Sequence, residues 1–318
     1  MRAFLFNDGK AAELPFAEGA VRFGEAGLVW LHLDGRNDAA RAWLAAQDDI
    51  PSVARAALTA SETRPRADVM AHGVLINLRG LGKTPDDDPD ALVSIRCWAE
   101  EGRVVSLSYR TPVALDAMID RFLGGEIADP GDLLSNFADA TTDALDPDVA
   151  ELGDALDACE TDLDRRGIYE MRRNVSATRA RAIAYRRFVA PQRQALERLA
   201  AASFDWFDDD DRLHLRDAAD RAARMAEELE AVRERAALMH EELTDLRAEQ
   251  MDARALWISV VAFIFLPLTF ITGLLGMNVE GIPYADRPWA FWGVTILCFV
   301  VGLAVLAYFV RRHWISRN

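Results

Sequence analysis

The residues of this 318-residue sequence best placed for chemistry are Gly276, Met277 and Asn278. They directly follow residues 256–275, a stretch without a single Asp, Glu, Lys or Arg. An asparagine amide offers a neutral carbonyl oxygen and an NH₂ group. Repeated around a symmetry axis, such oxygens form a ring that can hydrogen-bond to the water shell of a divalent cation. Mg²⁺ gives up its water reluctantly, so selection through an intact hydration shell is sound chemistry. Gly276 permits a chain turn that a bulkier residue would resist. Upstream, Ser259, Ala262, Leu266, Thr269 and Gly273 recur in steps of three and four, placing a stripe of small and hydroxyl residues along one helix face. Such a stripe suits close helix packing and a pore wall equally well; its termination at Asn278 favours the pore. Beyond it, Glu280 would add a negative ring at the pore mouth, recruiting cations ahead of the filter.

The other reactive side chains do not converge. His32, His72, His214, His240 and His313 lie far apart, with no pair at metal-ligand spacing and no Cys-x-x-Cys. The sequence contains no glycine-rich phosphate loop and no nucleophile elbow, so it does not read as an enzyme, and no cofactor is expected. Cys97, Cys159 and Cys298 are isolated and read as reduced thiols. His240, beside Glu241 and Glu242, reads as an exposed helix histidine. The acids Asp208, Asp209, Asp210 and Asp211 precede a helix, where the macrodipole favours them; a cluster of four could also hold a hydrated cation weakly, but the structural role is favoured.

The elements that must position Asn278 are two apolar segments, 256–275 and 288–310. Each meets the roughly 20 residues needed to cross hydrocarbon about 30 Å thick. Arg311, Arg312 and Arg317 follow the second, whereas the connection between the two carries one base and two acids. The positive-inside rule therefore predicts a multi-pass inner-membrane protein with both termini cytoplasmic. No signal peptide is read at the start. Of the net charge of −15, residues 1–254 hold −17. That acidity repels nucleic acid and concentrates cations.

Three domains are expected: a cytosolic α/β domain over 1–130, a helical stalk or funnel over 131–254, and a transmembrane pore domain over 255–318 with a short cytosolic tail. Strands are predicted at 28–33, 74–78, 92–98 and 104–109, the last two joined by a hairpin at Glu100-Glu101-Gly102. Asn37 should cap a helix over 38–47, and residues 85–90 read as an exposed loop. The arginine-rich stretch 165–198 is expected to pair with acidic helices of the same domain. From Leu215 through Ala218, Ala222, Met225, Leu229, Val232, Ala236, Met239 and Leu243 to Leu246, apolar residues keep a heptad rhythm. One helix over 211–275 would be roughly 97 Å long. Its seam asks for partner helices, which predicts an oligomer around an axis.

The stretch Phe265-Leu-Pro-Leu-Thr-Phe-Ile-Thr-Gly-Leu-Leu-Gly-Met-Asn278, at the end of the first of two C-terminal spans, resembles the signature of the CorA superfamily of metal transporters. Leu215-Arg-Asp-Ala-Ala-Asp220 is similar to the start of its stalk helix, and Ala190-Pro-Gln-Arg193 to the helix before it. Glu62-Thr-Arg-Pro-Arg66, Leu78-Arg-Gly80 and Val93-Ser-Ile-Arg-Cys-Trp98 resemble its ZntB zinc-transporter branch. The resemblance implies a homopentamer with a cytoplasmic funnel, a pore of five first-span helices and an outer ring of second-span helices. Asn278 would be the filter ring, meeting a hydrated ion, with Leu266, Thr269 and Gly273 along the pore. Asp217 matches a position where regulatory metal binds between subunits. The filter's flanks are mixed: Leu275 and Gly281 depart from CorA usage, while Glu280 is the CorA-like choice.

Three readings follow. The first is a zinc transporter of that branch; the second is a magnesium or cobalt channel of CorA type. The third, from a different class, is a membrane-tethered metal sensor or enzyme whose spans serve only as an anchor.

Overall fold

The computed structural model describes residues 1–23, 27–60, 64–83, 92–161, 167–278, 281–284 and 286–315. The chain divides into two compact units, Met1–His240 and Glu241–Asn318.

In the first unit, seven strands form one sheet in the order β2-β1-β3-β7-β6-β5-β4. They are β1 (Arg2–Asn7), β2 (Lys10–Leu14), β3 (Leu28–Asp34), β4 (Arg66–Val69), β5 (Gly73–Leu81), β6 (Leu92–Glu100) and β7 (Arg103–Ser108). The β3–β7 pair is parallel and every other pair antiparallel. The four strands anticipated at 28–33, 74–78, 92–98 and 104–109 are present, and Gly102 makes the β6–β7 turn at φ 69°. The β1–β2 hairpin was not anticipated. Its two-residue turn, Asp8-Gly9, has positive φ at both positions, the geometry that matches strand twist and that Asp-Gly supplies.

Both faces of the sheet are covered, so its central strands are apolar on both sides and β6 is buried throughout. Along β3 the alternation is direct. Val29, Leu31 and Leu33 join α2 (Asp38–Ala45) and α3 (Ser52–Thr59), whereas Leu28 and Trp30 pack with Phe4, Phe122 and Phe137 under α4 (Ala114–Gly124) and α5 (Pro130–Thr161). The short α1 (Phe16–Val21) completes the first layer. Asn37 caps α2 as expected, its side chain accepting from the Ala39 N–H at 2.9 Å. Full burial of a Leu or Phe stabilises by about 1.5–3 kcal/mol.

Three long helices follow: α5, α6 (Ile168–Ala200) and α7 (Asp209–Leu275). The heptad seam is real. Leu215, Ala218, Ala222, Met225, Leu229, Val232, Ala236 and Met239 are all buried. Its partners, however, come from the same chain. Arg221 and Arg235 of α7 bind Asp139, Asp143, Asp157 and Glu160 of α5, and Arg186 of α6 reaches Glu230 of α7 at 2.7 Å. The seam from Leu215 to Met239 is therefore satisfied within one protomer and gives no argument for a second copy. The expected pairing of the basic stretch holds for Arg181, near Asp148 and Glu151, and for Arg186.

In the second unit, α7 continues without a break to Leu275, and α8 runs Pro288–Ile315. Both are long and apolar enough to cross a membrane, and 6% and 0% of their most apolar windows are buried within the chain. The helix carries Arg311 and Arg312 beyond residue 310, where a tail was expected.

Candidate functional site

Gly276, Met277 and Asn278 lie immediately past the end of α7, and all three are exposed. The Gly276 N–H donates to the Thr272 carbonyl at 2.9 Å, extending the helix by one bond. A Cβ at Gly276 would stand 3.0 Å from that same carbonyl. The glycine thus relieves a tight contact at the helix end, and its backbone is not left-handed. Among the described residues of this connection, Gly281 (φ 101°) and Tyr284 (φ 63°) have positive φ. Tyr284 packs over Trp289, with ring centroids 5.2 Å apart. Glu280 and residues 85–90 lie outside the described residues, as does Glu62.

The orientation of the stripe follows from what α8 covers. Phe263 meets Phe309 with centroids at 5.8 Å, and Ile264 lies 3.8 Å from where a Gly302 Cβ would be. Val260 is buried, and Leu256, Ile264, Pro267, Leu268 and Ile271 are half-buried. Ser259, Ala262, Leu266, Thr269 and Gly273 are all exposed. At about 100° per residue, the centres of these two faces are roughly 150° apart. The small and hydroxyl residues therefore point away from α8, and the face that α8 takes is the bulkier one. The hydroxyls of Ser259 and Thr272 bond back to the carbonyls of Ala255 and Leu268, both at 2.9 Å. Between the end of α7 and the start of α8 lies an apolar groove of about 680 Å³, lined among others by Thr272, Leu275, Tyr284, Phe291 and Thr295.

A second constellation lies in the first unit, where the N-termini of α5 and α7 meet. Carboxylate oxygens of Asp129, Asp132 and Asp211 fall within 4.8 Å of one another, close enough to act as a ligand set for a divalent ion. Asp211 is 3% exposed and accepts from the Ser135 hydroxyl at 3.2 Å and the Asp208 N–H at 3.2 Å. Burial, reinforced by Asp129, Asp208 and Asp132, pushes its carboxyl up to about 7. Asp129 is raised as well, again chiefly by burial. A Cβ on Gly131 would stand 2.0 Å from an Asp211 oxygen, so the close approach of α5 depends on that glycine. The run of acids that includes Asp211 was expected to serve a helix start, with weak cation binding as the lesser alternative. Asp129 and Asp132 carried no local signal, because the fold brings them from about eighty residues away. Asp217 is not part of this group: it is exposed and paired with Arg221 at 3.0 Å.

His32 is buried in the sheet between two serine hydroxyls. The Trp30 indole N–H donates to Ser106 Oγ at 2.8 Å, and that hydroxyl lies 2.8 Å from His32 Nδ1, with Ser108 Oγ 3.4 Å from Nε2. Burial lowers its pKa to about 4, so it is neutral at physiological pH. Among the described residues, no group of metal-ligand type includes a histidine or cysteine.

The family described as CorA-like Mg²⁺ transporter protein matches residues 25–312 of this chain. A zinc transport protein, ZntB, of Cronobacter sakazakii is 35% identical over 312 residues, covering 98% of this chain and 93% of that protein. The solved structure of the full-length CmaX protein superposes with a TM-score of 0.80 at 30% identity, covering 99% and 98% of the two chains. The complete CorA magnesium transporter of Methanocaldococcus jannaschii has the same fold, with a TM-score of 0.79 at 18% identity over 98% and 97%.

Proposed function

This chain belongs to the CorA-like Mg²⁺ transporter family, and on that premise we propose that it forms an axial inner-membrane pore selecting hydrated zinc at a ring of Asn278 amides. It is a divalent metal cation transporter, not an enzyme. The observation that carries the pore reading is the exposed stripe of Ser259, Ala262, Leu266, Thr269 and Gly273, turned away from α8 on the helix that ends just before Asn278. In a membrane, small and hydroxyl residues gain most where helices approach closely or face water. Several copies arranged with this stripe inward and α8 outward, as in a homopentamer, bring their Asn278 side chains around one axis. Neutral amide oxygens then contact the ion's water shell without stripping it. The acidic cytoplasmic domain supplies long-range attraction, and Glu280 adds to it at the mouth. No cofactor is required; the metal is cargo. Both termini are cytoplasmic, in keeping with Arg311 and Arg312 at the end of α8.

Zinc is favoured by the 35% identity to a zinc transport protein over nearly the whole chain. A magnesium or cobalt channel is the second reading. The test is metal flux into proteoliposomes across zinc, magnesium, cobalt and nickel, with and without a pH gradient. Zinc flux should exceed magnesium flux, and Asn278→Ala should abolish it while leaving assembly intact. Magnesium preference would overturn the choice of zinc. Full transport by Asn278→Ala would overturn the filter.

A further inference from the structure

The exposed face of α6 is charged opposite to the chain that carries it. Among the described residues, its Arg173, Arg187 and Arg198 have no carboxylate partner; Arg187 rests 5.4 Å from its neighbour Phe188. Arg173 and Arg187 are two heptads apart, so they share one face, and the same face exposes Tyr169 (83%) and Ile183 (48%). Elsewhere in this unit, α6 and α7 flank a groove of about 670 Å³. Its floor is made of small residues, including Ala190, Ala223 and Ala231, and its α7 wall carries Glu227, Glu230 and Glu234. Glu230 is taken by Arg186, but Glu227 has no ion pair among the described residues and Glu234 only a 3.9 Å approach from Arg233. Asp220, Glu227 and Glu234 repeat every seven residues, and Leu238, 66% exposed, continues that face.

We propose that the arginine face of α6 is a subunit-docking surface whose occupant is the acidic α7 wall of this groove on a second copy of the same chain. This rests on the oligomer proposed above and specifies how neighbouring copies recognise one another. Three features support it. The two faces are complementary in charge, and each carries exposed apolar residues beside its charges. Arg173 and Arg187 lie about 21 Å apart along α6, and Asp220 and Glu234 lie about 21 Å apart along α7, so the two arginines can meet the two acids together. Within a chain α6 runs antiparallel to α7, as the Arg186–Glu230 pair and the proximity of Arg193 to Asp220 and Glu227 require. About an axis along α7, the α6 of one copy therefore meets the α7 of the next in the same antiparallel sense. Such a contact is head-to-tail, the type that closes into rings.

The test uses the full-length protein in detergent, with oligomer mass followed on dilution. Arg173→Glu with Arg187→Glu should weaken assembly by about tenfold or more, since two ion pairs become repulsive contacts. Asp220→Arg with Glu234→Arg should do the same, and combining all four changes should restore assembly. A monomeric wild-type protein would instead remove the oligomer itself. An oligomeric wild type that dissociates no more readily in either double variant would overturn the docking surface alone. Loss of binding to phosphatidylglycerol vesicles in the arginine variant, with assembly unchanged, would also overturn it and assign the face to lipid.

Discussion

Replacing Asp211 by Asn should remove the loss of stability that this carboxyl imposes on the first unit as pH rises from about 4 to about 7. In the folded protein this carboxyl sits at about 7, against 3.8 in a free chain, because burial and three neighbouring aspartates oppose its ionisation. Between those values the folded state holds the proton and the unfolded state does not. The unfolded state thus binds fewer protons, and stability falls as pH rises from about 4 to about 7. Three units at about 1.4 kcal/mol each amount to roughly 4 kcal/mol. Asn carries no charge at any pH, but it has one carbonyl oxygen where Asp211 uses two, for Ser135 and for the Asp208 N–H. That loss costs about 1 kcal/mol.

The variant should therefore be about 1 kcal/mol less stable than the wild type near pH 4 and about 2–3 kcal/mol more stable above pH 7, with the curves crossing near pH 5. Thermal unfolding of the full-length protein in detergent and chelator, from pH 4 to 8, measures this. Tryptophan fluorescence is a suitable probe, since Trp206 is stacked on Phe204 beside the cluster. The expected gain at pH 8 is about 5–10 °C. Parallel curves, without a crossing, would refute the reasoning, because they would mean that Asp211 ionises as it does in an open chain.

Gly273→Leu distinguishes a pore wall from a lipid face. A Cβ at Gly273 meets nothing within 4 Å in the chain, so the variant should fold and assemble, yet a leucine side chain from each copy in a narrow pore should abolish flux. Unchanged zinc flux into proteoliposomes would place that face outside the pathway. In the seam, Leu229 is fully buried, and Leu229→Ala should destabilise the helical bundle by about 3 kcal/mol, visible as a lowered melting temperature.

What the sequence displayed and what it concealed separate along a physical line. Features written in local order were legible. The apolar run at 28–33, the Asn37 cap and the uncharged spans are each properties of a few consecutive residues. The β1–β2 hairpin belonged to this class too, since Asp8-Gly9 is a strong turn signal; it went unread because β2 is polar and largely exposed. The heptad seam shows where local order stops. Periodicity states that one face of α7 is covered, but not by which chain, and here α5 and α6 of the same protomer cover it. That changes the basis for an oligomer. It cannot rest on the seam and must rest on faces that one protomer leaves open: the Ser259–Gly273 stripe in the membrane segment and the charged surfaces of α6 and α7. The acidic triad lay beyond sequence reading for a related reason. A carboxyl displaced to about 7 requires neighbours from distant positions, and only the meeting of two helix N-termini brings Asp129 and Asp132 to Asp211. The pore stripe falls between these cases. Its spacing was local, yet its direction became meaningful only once Val260, Ile264 and Phe263 were seen to take the side facing α8.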